Sequence, residues 1–381
     1  MSRPEESSSS RDPEAARAAL DRLREQIDAV DRAILEQLNE RARLVIEVGR
    51  LKAGDGIAVY EPTRERRIVD GLREGNEGPF PSDGIGPVFR EIISGTRSLE
   101  QPVRVAYLGP EGTFSHHAAR AQFGALSRLD AVASIPDVFS AVETGRADLG
   151  IVPIENTTEG VVTQTLDALA DHDVPVCAER VLRVSLALFS AKGTADAVRR
   201  VISHPQPLAQ CRRWLDQHLP DAERVEAAST AAAAQIASES PHAAAIGSEL
   251  AAEVYDLPII ASGIEDRGDN STRFVVIGGE PPPPSGHDLT SIVFTIRRDE
   301  AGGLFRLIEP FAEEGVNLTS IQLRPIKGKP WEYFFFIDCE GHRSESNVYR
   351  ALEVASGIAH STRVLGSFPR AEIDRRNPGG R

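Results

Sequence analysis

Residues 13–53 carry one helical periodicity almost without a break, and that feature governs what the rest of the chain can build. At about 100° per residue, Leu23, Ile27, Val30, Ile34, Leu38, Val45 and Val48 fall on a single stripe. The stripe is not purely apolar. Arg41 lies 18 residues after Leu23, close to five whole turns, and Lys52 lies seven after Val45 and four after Val48. Both cations therefore share the apolar side, whereas Arg43 and Arg50 point elsewhere, as solvated cations should. An unpaired buried cation is costly, so something anionic should meet Arg41 and Lys52.

Two shorter helices follow. Pro62 suits the first turn of one running to about residue 74. The breaker GNEGPFPSDGIG offers Ser82 or Asp83 as the cap of the next, which carries Val88, Phe89, Ile92, Ile93 and Leu99. A helix of forty residues beside two short ones cannot bury its stripe alone, so an intertwined dimer is the natural solution. The short helices repeat the oddity of the first. Glu65 precedes Ile68 and Val69 by three and four residues, Arg64 flanks them, and Thr96 and Glu100 follow Ile92 and Ile93 at helical spacing. Each helix thus delivers polar groups to a shared interior. Internal salt bridges, Arg41 or Arg64 with Glu65, are the plain structural alternative.

From Val103 the texture changes. VRVAYLG, LGIVPI, RVSLALF, RVISH, HAAAIG and RFVVIG read as strands, with helices such as SHHAARAQFG, PDVFSAVETGRA and STAAAAQIASE between them. That alternation predicts an α/β unit over 102–280, with two small lobes around a cleft. GGEPPPPSGH (278–287) is a stiff linker. Beyond it, over 288–369, the order strand, helix, strand, strand, helix, strand predicts an α+β ferredoxin-like sandwich, with strands at 289–297, 317–326, 331–339 and 362–368. The first residues, MSRPEESSSSRDPE, lack an apolar core and read as a disordered tail rather than a secretory signal, and the last dozen read as disordered too.

Charge and cysteine usage narrow the function class. The net charge of -14, from 43 basic against 57 acidic residues, argues against nucleic acid as a partner. No apolar run approaches a membrane span. Cys177, Cys211 and Cys339 have no metal spacing, which fits buried thiols in a reducing, cytoplasmic setting and predicts no metal site.

Taken together, LDRLREQID, NERARLVIEVGRLK, YEPTRERR and FREIISGTRSLE resemble the all-α, three-helix chorismate mutase fold, across 13–101. The resemblance implies a cofactor-free pericyclic rearrangement of chorismate to prephenate, in which the enzyme holds the substrate's compact form and stabilises charge on the breaking ether oxygen. It places Arg24 of a neighbouring protomer and Arg41 on the carboxylates, since the guanidinium fork binds both oxygens. Lys52 then donates to the ether oxygen and a carboxylate, Arg64 and Thr96 line the site, and Glu61 and Glu65 meet the substrate hydroxyl or orient the cations. Glu100 stands where some members carry glutamine, and a carboxyl group must be protonated to donate there.

GPEGTFSHHAA (109–119), PIENTTEGVV (153–162), SHPQPLAQC (203–211), AAIGSELAAEVYDLPII (244–260) and IEDRGDNSTRF (264–274) resemble prephenate dehydratase, a two-lobed fold like that of periplasmic binding proteins. That enzyme removes the ring carboxylate and hydroxyl of prephenate together, giving phenylpyruvate. The resemblance makes Thr272 the catalytic group and Thr113, Ser115, Glu155, Asn156, Thr157, Gln206, Arg273 and Phe274 lining residues. His204, next to a proline, reads as structural.

Residues 288–369 resemble an ACT regulatory domain of the phenylalanine-sensing type, through EAGGLFRLIEPFAEEGVNLTSI and LRPIKGKPWEYFFFIDCEGH. The resemblance implies L-phenylalanine as effector near Gly303, Leu304, Asn317, Leu318 and Gln322. Gln322 and Leu323 replace an acid and a small hydroxyl, which predicts weakened or altered inhibition, or a domain that only pairs subunits. The combined expectation is a bifunctional enzyme of phenylalanine biosynthesis, a homodimer that could pair into a tetramer. Two other readings are a dehydratase with a relic helical dimerisation module and a non-enzymatic amino-acid sensor.

Overall fold

The structure, a computed structural model, describes residues 13–55, 60–100, 102–296, 301–329 and 331–371. Most of the two predicted disordered tails and most of the loop after the first helix lie outside the described residues, but Pro13 and Glu14 open the first helix and the Ala371 amide donates to Glu179. Three helices come first: α1 (Pro13–Asp55), α2 (Pro62–Glu74) and α3 (Ser82–Glu100). At 1.5 Å per residue α1 is about 65 Å long, and only its C-terminal part packs on α3. Leu20, Leu23, Ile27, Val30 and Ile34 are each more than half exposed, so the N-terminal part of the predicted stripe is uncovered among the described residues.

The α/β part is built as two lobes. The first contains β1 (Arg104–Leu108), α4 (Phe114–Phe123), β2 (Arg128–Val132), α5 (Ile135–Glu143), β3 (Leu149–Asn156), β4 (Gly160–Val161), α6 (Thr163–Asp171) and β5 (Val176–Arg183). The second contains β6 (Ala187–Ser190), β7 (Arg200–Ser203), α7 (Pro205–Gln210), α8 (Arg212–His218), β8 (Glu223–Glu226), α9 (Thr230–Glu239), β9 (Ala243–Gly247), α10 (Glu249–Val254) and β10 (Ile259–Ser262). The chain then returns to the first lobe as β11 (Ser271–Gly278), giving sheet orders β2-β1-β3-β11-β5 and β10-β6-β9-β7-β8. In each lobe the first parallel strand is flanked by the next two, so the loops after β1 and β3, and after β7 and β9, diverge at a switch point. Ligands of open α/β sheets bind at such points. Ser248, which caps α10, donates to the Gly112 carbonyl at 3.4 Å, so the two switch points face one another.

The last part, β12 (Asp288–Thr295), α11 (Gly303–Glu313), β13 (Leu318–Pro325), β14 (Tyr333–Glu340), α12 (Ser346–Ile358) and β15 (Ser361–Pro369), is the expected antiparallel sandwich in order β13-β14-β12-β15. One face carries α11 and α12 over Ile292, Phe294 and Ile337. The other face, through Leu289, Val293, Phe336, Leu365 and Phe368, shares a core with the first lobe. Arg324 forks onto Asp167 of α6 at 2.8 and 2.9 Å. The proline linker is pinned as well: the carbonyls of Pro282 and Pro283 meet His342 Nε2 and Thr63 Oγ1 at 3.2 and 3.1 Å.

Candidate functional site

The mutase-like residues converge where α1 crosses α3. Arg41 donates to Thr96 Oγ1, which itself donates to the Ile92 carbonyl at 2.9 Å. Burial lowers the Arg41 pKa, with Glu65 and Glu100 opposing that effect and Arg64 adding to it. Lys52 Nζ sits 2.5 Å from Glu61 Oε1. Gly49 lets α3 close in, because a Cβ there would lie 2.9 Å from Glu100 Cγ. Burial raises the Glu100 pKa and neighbouring Glu61 adds to it, while Lys52 pulls the other way. The anion sought by Lys52 is thus Glu61, whereas Arg41 meets a neutral hydroxyl. Arg64 is exposed. Arg24, paired with Asp21 at 3.2 Å, stands 17 residues along α1 from Arg41, about 25 Å away, and cannot join Arg41 within one chain.

The predicted internal salt bridge for Glu65 forms with a different partner. Arg97 Nη1 lies 2.5 Å from Glu65 Oε1, and Arg97 is 5% exposed. Nothing in the apolar periodicity singles out Arg97. Its one signal is position, one residue past Thr96 in the final turns of a half-buried helix.

At the α/β switch points, strand pairing brings Thr272 opposite Asn156. Asn156 Nδ2 donates to Thr272 Oγ1 at 2.8 Å and to Asn270 Oδ1 at 3.0 Å, while its Oδ1 accepts the amides of Thr158 and Glu159. Thr157 Oγ1 accepts the Ser271 amide at 2.9 Å. Thr113 caps α4, accepting from the His116 amide at 3.3 Å, and Ser115 is buried in the first turn. His116 Nδ1 in turn accepts the Gly112 amide at 3.1 Å, and burial holds its pKa below the usual imidazole value. Gln206 and His204 lie across the cleft at the start of α7, where His204 caps the helix, the structural role expected of it.

Three predicted lining residues are placed elsewhere. Successive strand residues point to opposite faces, so Arg273 turns away from Thr272, toward the C-terminal sheet. There it bridges Glu179 at 2.7 Å and Asp338 at 2.6 Å. Phe274 returns to the Thr272 face but is 1% exposed, packed with Tyr107, Phe123 and Val276. Glu155 lines the same crevice toward the C-terminal sheet as Arg273. The tentative effector set divides in the same way. Gly303 starts α11 behind the left-handed Gly302, with Leu304 partly exposed beside it. Gln322 instead faces the first lobe in that crevice, on the opposite face of β13 from Leu323, which pairs with Phe335 on the helix-covered side.

Three family profiles match in order: chorismate mutase type II over residues 23–101, prephenate dehydratase over 105–282, and ACT domain over 290–357. The bifunctional chorismate mutase/prephenate dehydratase of Aquifex aeolicus is 44% identical over 356 residues, covering 92% of this chain and 98% of that protein. The Escherichia coli K12 protein of the same description is 31% identical over 373 residues, covering 92% and 96%. The crystal structure of Arthrobacter aurescens prephenate dehydratase in complex with L-Phe superposes on 70% of this chain and 90% of its own, at 36% identity and a TM-score of 0.65. The chain belongs to the bifunctional chorismate mutase/prephenate dehydratase family: it rearranges chorismate to prephenate and converts prephenate to phenylpyruvate for phenylalanine biosynthesis, with an ACT regulatory domain after the two catalytic parts.

Proposed function

We propose that the first reaction runs at the α1–α3 crossing and the second at the facing switch points of the two lobes. The observation that carries the first assignment is the convergence of Arg41, Lys52, Thr96 and Glu100 from helices far apart in sequence. Chorismate rearranges without a nucleophile, so the protein has only to hold its two carboxylates and donate to the ether oxygen. Arg41 takes one carboxylate and Arg24 of the partner subunit the other. Lys52 and a protonated Glu100 face the ether oxygen, with Arg64 at the rim and Glu61 and Glu65 fixing the cations or the ring hydroxyl. The uncovered stripe from Leu20 to Ile34 supports a dimer in which each α1 completes its partner's site.

For the dehydratase, the Asn156–Thr272 bond supports Thr272 as the donor at the departing hydroxyl. A neutral hydroxyl can suffice because aromatisation of the ring supplies driving force. Thr113, Ser115, Thr157 and Gln206 surround the prephenate. L-Phenylalanine is the effector, held near Gly303, Leu304, Asn317 and Leu318, and the cytoplasm is the compartment. Supplying chorismate and following prephenate and phenylpyruvate separately, with and without phenylalanine, tests the reading. Thr272→Ala should accumulate prephenate without phenylpyruvate, and full dehydratase activity in that variant would overturn the threonine assignment. Calorimetry with L-phenylalanine tests the effector site, where an absence of binding heat would leave a domain that only pairs subunits.

A further inference from the structure

The mutase and dehydratase parts are joined by one buried polar seam. α3 lies across the C-terminal end of α4, so closely that a Cβ on Gly124 would fall 2.4 Å from Ser94 Cβ. The Ala125 amide donates to Glu91 at 3.0 Å. At the centre of the seam is Arg97. One side of its guanidinium reaches Glu65 of α2. The other side donates to the Phe123 carbonyl at 2.8 Å and to Ser127 Oγ at 3.1 Å, both in the dehydratase part. The rings of Tyr60 and Phe123 close over it, 5.5 and 5.9 Å from its central carbon. A planar cation held by acceptors on both sides and by rings above has little freedom. Whatever Arg97 grips is therefore fixed relative to the dehydratase part.

We propose that Arg97 is a positioning residue of the mutase reaction, fixing the Glu65 carboxylate in its ionised, site-facing form and tying that geometry to the dehydratase part through Phe123 and Ser127. This rests on the reading of Glu65 as part of the chorismate site. The charged and titratable groups facing Glu65 are Arg97 and Arg90 of α3, Arg41 of α1 and the buried Tyr60 before α2. Burial raises the Glu65 pKa and Arg97 is the foremost charge opposing it. Without Arg97 the carboxyl rises further and takes up a proton at higher pH.

The test uses the full chain in four forms: wild type, Arg97→Met, Glu65→Gln and the double variant, with Arg97→Lys as the conservative rescue. The dehydratase rate on added prephenate reports whether each form is folded. Arg97→Met should lower mutase kcat by about tenfold or more near neutral pH. Read in a Glu100→Gln background, where no Glu100 proton is lost on the alkaline side, its rising limb should move about one unit or more toward alkaline pH. Arg97→Lys should restore much of the rate. In the Glu65→Gln background, Arg97→Met should add little and move no limb, because the group it acts through is gone; the double variant also removes the unpaired buried charge that threatens folding. An unmoved pH profile in Arg97→Met, or an equal loss with and without Glu65, would overturn the proposal. Full mutase activity in Glu65→Gln would instead overturn the assignment of Glu65.

Discussion

At the α1–α3 crossing the carboxyl of Glu100 is held partly out of water beside Glu61, and its pKa rises despite Lys52. The sign of its pH effect follows directly. The protonated form is the donor, so donation is complete below the raised pKa and lost as pH climbs through it. Mutase kcat should therefore carry a falling limb on the alkaline side in the wild type, beyond the rising limb that Glu65 sets, and Glu100→Gln should flatten the falling limb because an amide donates at every pH. A wild-type rate constant from acid to alkaline pH would remove Glu100 from the site. Arg41 offers a contrast, since its partner within the chain is a neutral hydroxyl. Arg41→Ala should cost about 100-fold in mutase rate yet shift the melting temperature little, and a collapse of the fold would show a structural cation instead. Thr272 and Arg273 make a related point about neighbours. One hydroxyl accepts from the Asn156 amide, and the next side chain is committed to Glu179 and Asp338 on the far face.

At the scale of elements, close approach decides more than side-chain chemistry. Strand β15 runs so near β5 that a Cβ on Gly366 would sit 1.9 Å from the Val176 carbonyl oxygen. Backbone cannot give way as a flexible side chain does, so Gly366→Ala should destabilise by about 1–3 kcal/mol or more. A thermal melt would read the loss, and the same variant should loosen the ACT sheet from the first lobe. Gly71 of α2 is the opposite case, with nothing within 4 Å of an added Cβ. Gly71→Ala should stabilise by about 0.5–1 kcal/mol through helix propensity alone, and an unchanged or lower melting temperature would contradict the assigned helical environment.

Across the whole molecule, the periodic features were legible and the lateral ones were not. The stripe of α1 and the polar residues on α2 and α3 announced a helical cage because a period of 3.6 specifies a face without knowledge of the neighbour. The strand–helix alternation likewise announced two lobes, and the C-terminal order a sandwich. A face does not name its partner, however. Arg97 finds Glu65, Phe123 and Ser127 from three other segments, and no local pattern joins them. Arg273 is legible in principle, since strand alternation forbids it from sharing the face of Thr272, whereas a motif of contiguous letters groups the two. Gln322 and Leu323 part company for the same reason on β13.

The reach of α1 has a consequence for mixtures of chains. If Arg24 serves the partner's site while Arg41 serves its own, an Arg24→Ala chain and an Arg41→Ala chain are each inactive as homodimers. Unfolded and refolded together, half of the dimers become hybrids, each with one site that lacks both residues and one that keeps both. Mutase activity should then return to about a quarter of the wild-type value, from two preparations that show almost none apart. Thr272→Ala and Asn156→Ala chains, whose defects lie in the same lobe, should show no such complementation.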